Sequence, residues 1–178
     1  MSSFSLAMVF MKRTAVLFVC MGNICRSPLA QGIFSHLLQQ RNLEQHFRVD
    51  SAGTDGWHAG APPDPRSVAI AGHHGIDISG QKARQFQIDD AETFDIILAM
   101  DEDNLAKLRA RCPQHHLYKL HLFSDFAHGR RHNVPDPYYG GEEGFGTVYT
   151  MLLAGCMSML EKLDTGQASL NGNASSTI

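Results

Sequence analysis

Residues 14–19 read TAVLFV, and the chain continues directly into Cys20-Met21-Gly22-Asn23-Ile24-Cys25-Arg26-Ser27-Pro28. Beyond Thr14 the run has no polar alternation. That is the pattern of a strand covered on both faces. Ser27-Pro28 then opens a helix, since proline is tolerated in a first turn. Ala30, Ile33, Phe34, Leu37 and Leu38 follow at helical spacing. A strand covered on both faces needs helices on both sides of its sheet, so this junction directs the chain towards an α/β fold.

The rest of the chain agrees. Residues 47–52 form a second strand candidate, and residues 53–65, rich in Gly, Pro and Asp, a long loop. A short helix is predicted at 65–74, ended by Gly75, and a polar connection at 76–91. FDIILAM at 94–100 is a third buried strand. Residues 102–111 form a short helix that stops near Pro113. Residues 117–123 give a fourth strand with partial alternation, and 128–144 a polar loop. The last helix is predicted at 143–163, with Phe145, Val148, Tyr149, Leu152, Cys156, Met159, Leu160 and Leu163 on its apolar face. There is no internal repeat.

Strand and helix alternate throughout. The expectation is a single α/β domain with a central four-stranded parallel sheet, helices on both faces and a ligand loop after the first strand. The domain is placed at 13–163. Residues 1–12 are read as an N-terminal extension, with Met8 or Met11 as alternative starts, and 164–178 as a small, polar, disordered tail.

With a formal net charge of -3, the chain has no basic excess that would favour nucleic acid. The apolar run at 15–21 is too short to cross a membrane, and the basic pair Lys12-Arg13 does not precede a long apolar stretch. With Cys20, Cys25, Cys112 and Cys156 read as reduced thiols, the expected location is the cytoplasm.

In parallel sheets the ligand sits beyond the carboxyl ends of the strands, where Cys20–Pro28 begins. Backbone N–H groups of such a loop, together with a helix N-terminus, form an anion nest. Gly22 and Asn23 both tolerate unusual backbone geometry. Arg26 adds a planar fork that matches two phosphate oxygens. A thiol at the base of that nest is favoured as its thiolate, a strong nucleophile. Ser27 can donate a hydrogen bond to the sulfur.

The Cys-x5-Arg-Ser loop after a first strand resembles the phosphate loop of the low-molecular-weight protein tyrosine phosphatases. PDPYYGG at 135–141 is similar to that family's late loop, whose aspartic acid is the general acid. Val49-Asp50-Ser51-Ala52, Lys82-Ala83-Arg84-Gln85 and Met100-Asp101 match as well, so the resemblance spans about 13–163. It implies hydrolysis of phosphotyrosine through a cysteinyl-phosphate, with Cys20 as nucleophile, Arg26 on the phosphate and Asp136 as general acid and base. It implies phosphate binding by residues 21–26 (Met21, Gly22, Asn23, Ile24, Cys25 and Arg26) and bracing of the loop by Asn23, Ser27 and Ser51. Met21, Ile24, Trp57, Tyr138 and Tyr139 match its pocket walls. Cys25 matches a second loop cysteine that traps the oxidised nucleophile as a disulfide. The family uses no cofactor and no metal. Its substrates are phosphotyrosine proteins, a tyrosine kinase among the candidates, and the expected state is monomer or weak dimer.

One departure is Gln81, which stands where the family commonly has a histidine in the bracing network. Glutamine hydrogen-bonds but does not titrate near neutrality. Cys112 and Cys156 are read as structural. The histidines at 115, 116, 121, 128 and 132 have no tight ligand spacing and are read as a solvated set.

Four other readings are set beside this one, with protein arginine phosphatase of the same fold as the runner-up. Thioredoxin-coupled arsenate reductases need two further cysteines after the second helix, and none lies between Cys25 and Cys112. A nucleotide-binding loop would read G-x-x-x-x-G-K-[ST], which is absent. Protein arginine phosphatases tend to carry threonine where this loop has Ile24, whose apolar bulk suits an aryl ring. An inactive phosphotyrosine-binding module would be expected to lose Cys20 or Asp136.

Overall fold

The computed structural model describes residues 12–172, with side chains described through Thr165. β1 (Thr14–Cys20) lies in the sheet interior. It pairs in parallel with β2 (Phe47–Gly53) on one side and β3 (Ile96–Ala99) on the other. β4 (Leu120–Leu122) adds to β3, giving the order β2-β1-β3-β4. The register sets Phe18 opposite both Ser51 and Leu98.

The two-residue period of β1 divides its side chains between two cores. Val16, Phe18 and Cys20 join Leu29, Ile33, Phe34, Leu152, Cys156 and Leu160. These come from α1 (Arg26–Gln40) and α6 (Glu142–Gly172), which cover that face with α2 (Pro65–His73) and α5 (Phe123–His128). Ala15, Leu17 and Val19 point the other way, into a core with Phe94, Leu105 and Leu108. α3 (Ile88–Thr93) and α4 (Glu102–Arg111) close that side. The rings of Phe34 sit edge-on to both Phe18 and Phe47 at 5.9 Å, so α1 is keyed to the β1–β2 pair.

Three local expectations change. The connection at 76–91 contains the start of α3, whose sequence IDDAET carries no apolar repeat. A reciprocal capping box between Gln87 and Asp90 forms it, and Arg84 grips Asp90 from outside. The fourth strand keeps only 120–122, because Gln114–Lys119 winds into a 3-10 turn and Phe123 already begins α5. The helix predicted to end at 163 continues to Gly172. Thr165 Oγ1 donates to the Glu161 carbonyl at 3.1 Å, a side-chain bond back to the preceding turn. The expected extension at 1–12 lies, apart from Lys12, outside the described residues, as do 173–178. No helix among the described residues is long and apolar enough to cross a membrane.

α6 packs on α5 at Gly155, where an added Cβ would run into the Phe123 ring. Phe123 is buried beside Phe18 and cannot swing away freely. Gly155→Ala is therefore expected to destabilise by about 1–3 kcal/mol through overpacking. Alanine's preference for helix of about 1 kcal/mol acts in the opposite direction. Urea denaturation decides between them: a gain in stability would show that the α5–α6 contact is looser than described.

Candidate active site

β1 ends at Cys20, and the chain turns sharply before α1 begins at Arg26. The turn is framed by the end of β2. Thr54 N donates to the Cys20 carbonyl at 2.8 Å, and Asp55 N donates to that of Met21 at 2.9 Å. The first turn of α1 has no side-chain cap and no acidic residue, so the helix's positive end is directed at the loop without compensation.

The left-handed residue in the turn is Asn23, at φ 56°. At Gly22 a Cβ would lie 3.0 Å from His58 Cδ2, so the ring would have to give way. Asn23 Nδ2 donates to Ser27 Oγ at 2.8 Å and to Ser51 Oγ at 3.0 Å. Its Oδ1 accepts from the Arg84 backbone N–H at 2.9 Å. Ser51 passes its own proton to Gln31 Oε1 at 2.6 Å. Ser27 Oγ lies 3.0 Å from Cys20 Sγ. Because Ser27 accepts from Asn23, its hydroxyl proton is available for the sulfur, with the Ala52 carbonyl at 3.3 Å as the competing acceptor.

Gln81 stands apart from this chain. Its Nε2 donates to the Pro28 carbonyl at 3.1 Å, and the network closes through Gln31 instead. Gln31 lies four residues after Ser27 on α1, and that helical spacing is the signal that could have found it.

Arg26 is buried, at 2% exposure. Nη1 donates to Asp101 Oδ2 at 2.6 Å and to the Val134 carbonyl at 2.9 Å, and Nη2 reaches Asp136 Oδ2 at 3.3 Å. Burial works against the guanidinium charge, but Cys20, Asp101 and Asp136 outweigh it and hold the group above its ordinary range. Asp101 has a second role as N-cap of α4, accepting from Asn104 N at 2.7 Å. Val134 N is itself pinned to the Met100 carbonyl at 2.9 Å, so the loop bearing Asp136 is fixed to the end of β3.

Asp64 and Arg66, which the sequence reading did not single out, clamp that loop from the other side. Asp64 N donates to the Ile24 carbonyl at 2.8 Å. Its carboxylate takes Arg66 Nε and Nη2 at 2.9 and 2.8 Å, and Arg66 reaches on to the carbonyls of Tyr138 and Gly140 at 3.1 and 3.3 Å. Arg66's hydrogen bonds keep Asp64 below the ordinary carboxylate range. Cys25 is affected in turn. Burial first, then the charges of Asp64 and Cys20, push its thiol up to about 12.

Cys20, Met21, Gly22, Ile24, Cys25, Arg26, Asp136, Tyr138 and Tyr139 line one cleft of about 130 Å³, together with His58. That is well under the roughly 300–1,000 Å³ of sites that enclose a drug-sized ligand. The cleft can enclose a tetrahedral anion and leave an attached group between the side walls. Trp57 does not join it. Its side chain is 88% exposed, because the turn closed by Ala59 N to Gly56 O and Ala61 N to His58 O presents His58 to the cleft and Trp57 to solvent. His58 and Tyr138, with ring centroids 6.4 Å apart, make up that wall.

This arrangement is a thiol at a strand end, an anion nest, a buried arginine and an acid on a facing loop, all in a parallel α/β domain. A family model described as low molecular weight phosphotyrosine protein phosphatase matches residues 15–169. A human protein of that description is 42% identical over 150 residues, covering 83% of this chain and 94% of its own. The crystal structure of a protein tyrosine phosphatase from Entamoeba histolytica superposes with a TM-score of 0.81 at 37% identity, covering 86% of this chain and 99% of that one. A Drosophila arginine phosphatase superposes at 0.76 with 36% identity, covering 83% and 96%. The chain belongs to the low molecular weight phosphotyrosine protein phosphatase family.

The raised Cys25 thiol has a direct consequence. Iodoacetamide attacks thiolates, so at pH 8 the folded protein should keep Cys25 unmodified, and denaturant should release it. Peptide mass spectrometry reads both states. Equal labelling of Cys25 in the two would contradict the burial and charge argument.

Proposed function

We propose that this chain hydrolyses phosphotyrosine in proteins. The observation that carries the reading is the meeting of Cys20, Arg26 and Asp136 in one small cleft at the carboxyl end of β1. In the first step Cys20 Sγ attacks phosphorus in line. The bond from phosphorus to the phenolic oxygen breaks, and Asp136 gives its proton to the departing oxygen. In the second step ionised Asp136 takes a proton from water. The water oxygen displaces sulfur from the cysteinyl-phosphate and releases inorganic phosphate. The loop N–H groups and the Arg26 fork hold the equatorial oxygens through both steps, where charge develops. Ser27 stabilises the sulfur as it leaves.

Ile24, Met21, His58, Tyr138 and Tyr139 offer flat or apolar walls to an aromatic ring, which supports phosphotyrosine as the substrate. A tyrosine kinase is among the protein substrates we infer, and the chain would act as monomer or weak dimer. The four cysteines are all free, as a reducing cytoplasm would keep them. Cys25, buried beside the nucleophile, is the thiol we assign to capture an oxidised Cys20 as a disulfide, with loss of water from the sulfenic acid.

Hydrolysis of matched phosphotyrosine, phosphoserine and phosphoarginine peptides tests the assignment. Phosphotyrosine should be cleaved fastest. Cys20→Ser should be inactive, and Asp136→Ala slowed by roughly 10²–10⁴, the usual loss for a general acid. Preference for phosphoarginine would move the chain towards its Drosophila neighbour's activity. Phosphate binding without any turnover would make it a binding module.

A further inference from the structure

α3 and the 3-10 turn Gln114–Lys119 each lead into the amino end of a strand, β3 and β4, so they lie at the edge of the sheet opposite Cys20. Buried Lys119 ties them together. Its Nζ donates to the Ala91 carbonyl at 2.7 Å and to that of Glu92 at 3.4 Å. The two elements are thus held at a fixed spacing, and that brings Glu92 against His115 and His116. One carboxylate oxygen and one ring nitrogen from each histidine all lie within 4.8 Å of one another.

The geometry does not look like an ordinary hydrogen-bonded cluster. His116 Nε2 lies 3.4 Å from Glu92 Oε1, beyond the usual N–H···O range of about 2.7–3.2 Å. Neither ring nitrogen of His116 has a hydrogen-bond partner, although both are buried. A neutral imidazole has one donor and one acceptor, and here both are turned away from water without being paired. The neighbouring rings of His115 and His116 have centroids 4.1 Å apart and are tilted by 46°.

A tetrahedral ion offers a physical account. With nitrogen and oxygen ligands at about 2.0–2.2 Å, the edges of a zinc tetrahedron are about 3.3–3.6 Å long. The His116–Glu92 separation of 3.4 Å fits one such edge. We propose that Glu92, His115 and His116 form a binding site for a divalent transition-metal ion of the zinc class, with water in the fourth position. Two imidazoles disfavour Mg²⁺ and Ca²⁺, which take oxygen ligands. The ion's charge is met by the Glu92 carboxylate, and the nearby Lys119 ammonium is already engaged by backbone carbonyls. Glu92 and His115 are exposed, so the ion has an open path in. An ion there would clasp α3 to the 3-10 turn and stabilise the native state by mass action. It lies away from the cleft and takes no part in the chemistry there.

The test uses the full chain carrying Cys20→Ser, which removes a competing sulfur ligand. Zn²⁺ is titrated by calorimetry and Co²⁺ by visible absorption. One ion should bind. The Co²⁺ spectrum should show d–d bands without the thiolate charge-transfer that Cys25 or Cys112 would give. Thermal unfolding should move up with Zn²⁺. Glu92→Gln and His115→Ala, both at exposed positions, should each weaken binding by about tenfold or more. They should also abolish the thermal shift while leaving the circular dichroism unchanged. Unaltered affinity in both variants, a thiolate band in the Co²⁺ spectrum, or no binding at a large excess of Zn²⁺ would overturn the site.

Discussion

Asn23, held in the left-handed region at φ 56°, sets its amide where Nδ2 serves Ser27 and Ser51 and Oδ1 accepts from the Arg84 backbone. Three segments far apart in sequence therefore agree on one loop shape. Ser51 belongs to β2, Ser27 to α1, and Arg84 to the strand-like segment that bridges Gly53 through Gln85. The position of the Cys20 sulfur follows, because Ser27 reaches it only from this geometry. So does the start of α1 at Arg26, and with it the direction of the helix's positive end. A polar network of this kind is favourable only when every member is satisfied. Here each of Asn23, Ser27 and Ser51 has partners for both donor and acceptor.

Charge is arranged around that loop in arginine–carboxylate groups, each with a structural task. Arg26 draws Asp101 and Asp136 to one buried guanidinium, which joins the start of α4 to the facing loop. The guanidinium is buried while both carboxylates are partly exposed, so Arg26 ties these elements together from within the fold. Arg66 and Asp64 link the Ile24 carbonyl to the backbone of Tyr138 and Gly140. Arg84 joins Asp50 of β2 to Asp90 of α3. The planar fork suits each case, because every one of these arginines serves more than one acceptor.

The parallel sheet was legible because β1 and β3 are apolar on both faces, a pattern that survives without knowledge of any partner. The main site was legible because Cys20, Arg26 and Ser27 lie within one turn of chain and Asp136 sits in an Asp-Pro-Tyr-Tyr segment. What escaped depends on contacts between distant residues. α3 has no apolar period and is made by Asp90 answering both Gln87 and Arg84. Trp57 and His58 are neighbours in a turn-rich stretch, and only the turn's closure decides which one faces the cleft. The left-handed position fell on Asn23 although Gly22 was also suited to it. Glu92 lies too far in sequence from His115 and His116 for ligand spacing to reveal it.

The most direct measurement is a search for the covalent intermediate. Asp136→Ala protein is mixed with a phosphotyrosine peptide, quenched in acid within its first turnovers, and examined by intact and fragment mass spectrometry. A single added phosphoryl group located on Cys20 is the expected result, since attack by sulfur precedes the water step that Asp136 assists. Turnover with no adduct, or an adduct on another residue, would contradict the assignment of Cys20 as the group that the whole loop is shaped to present.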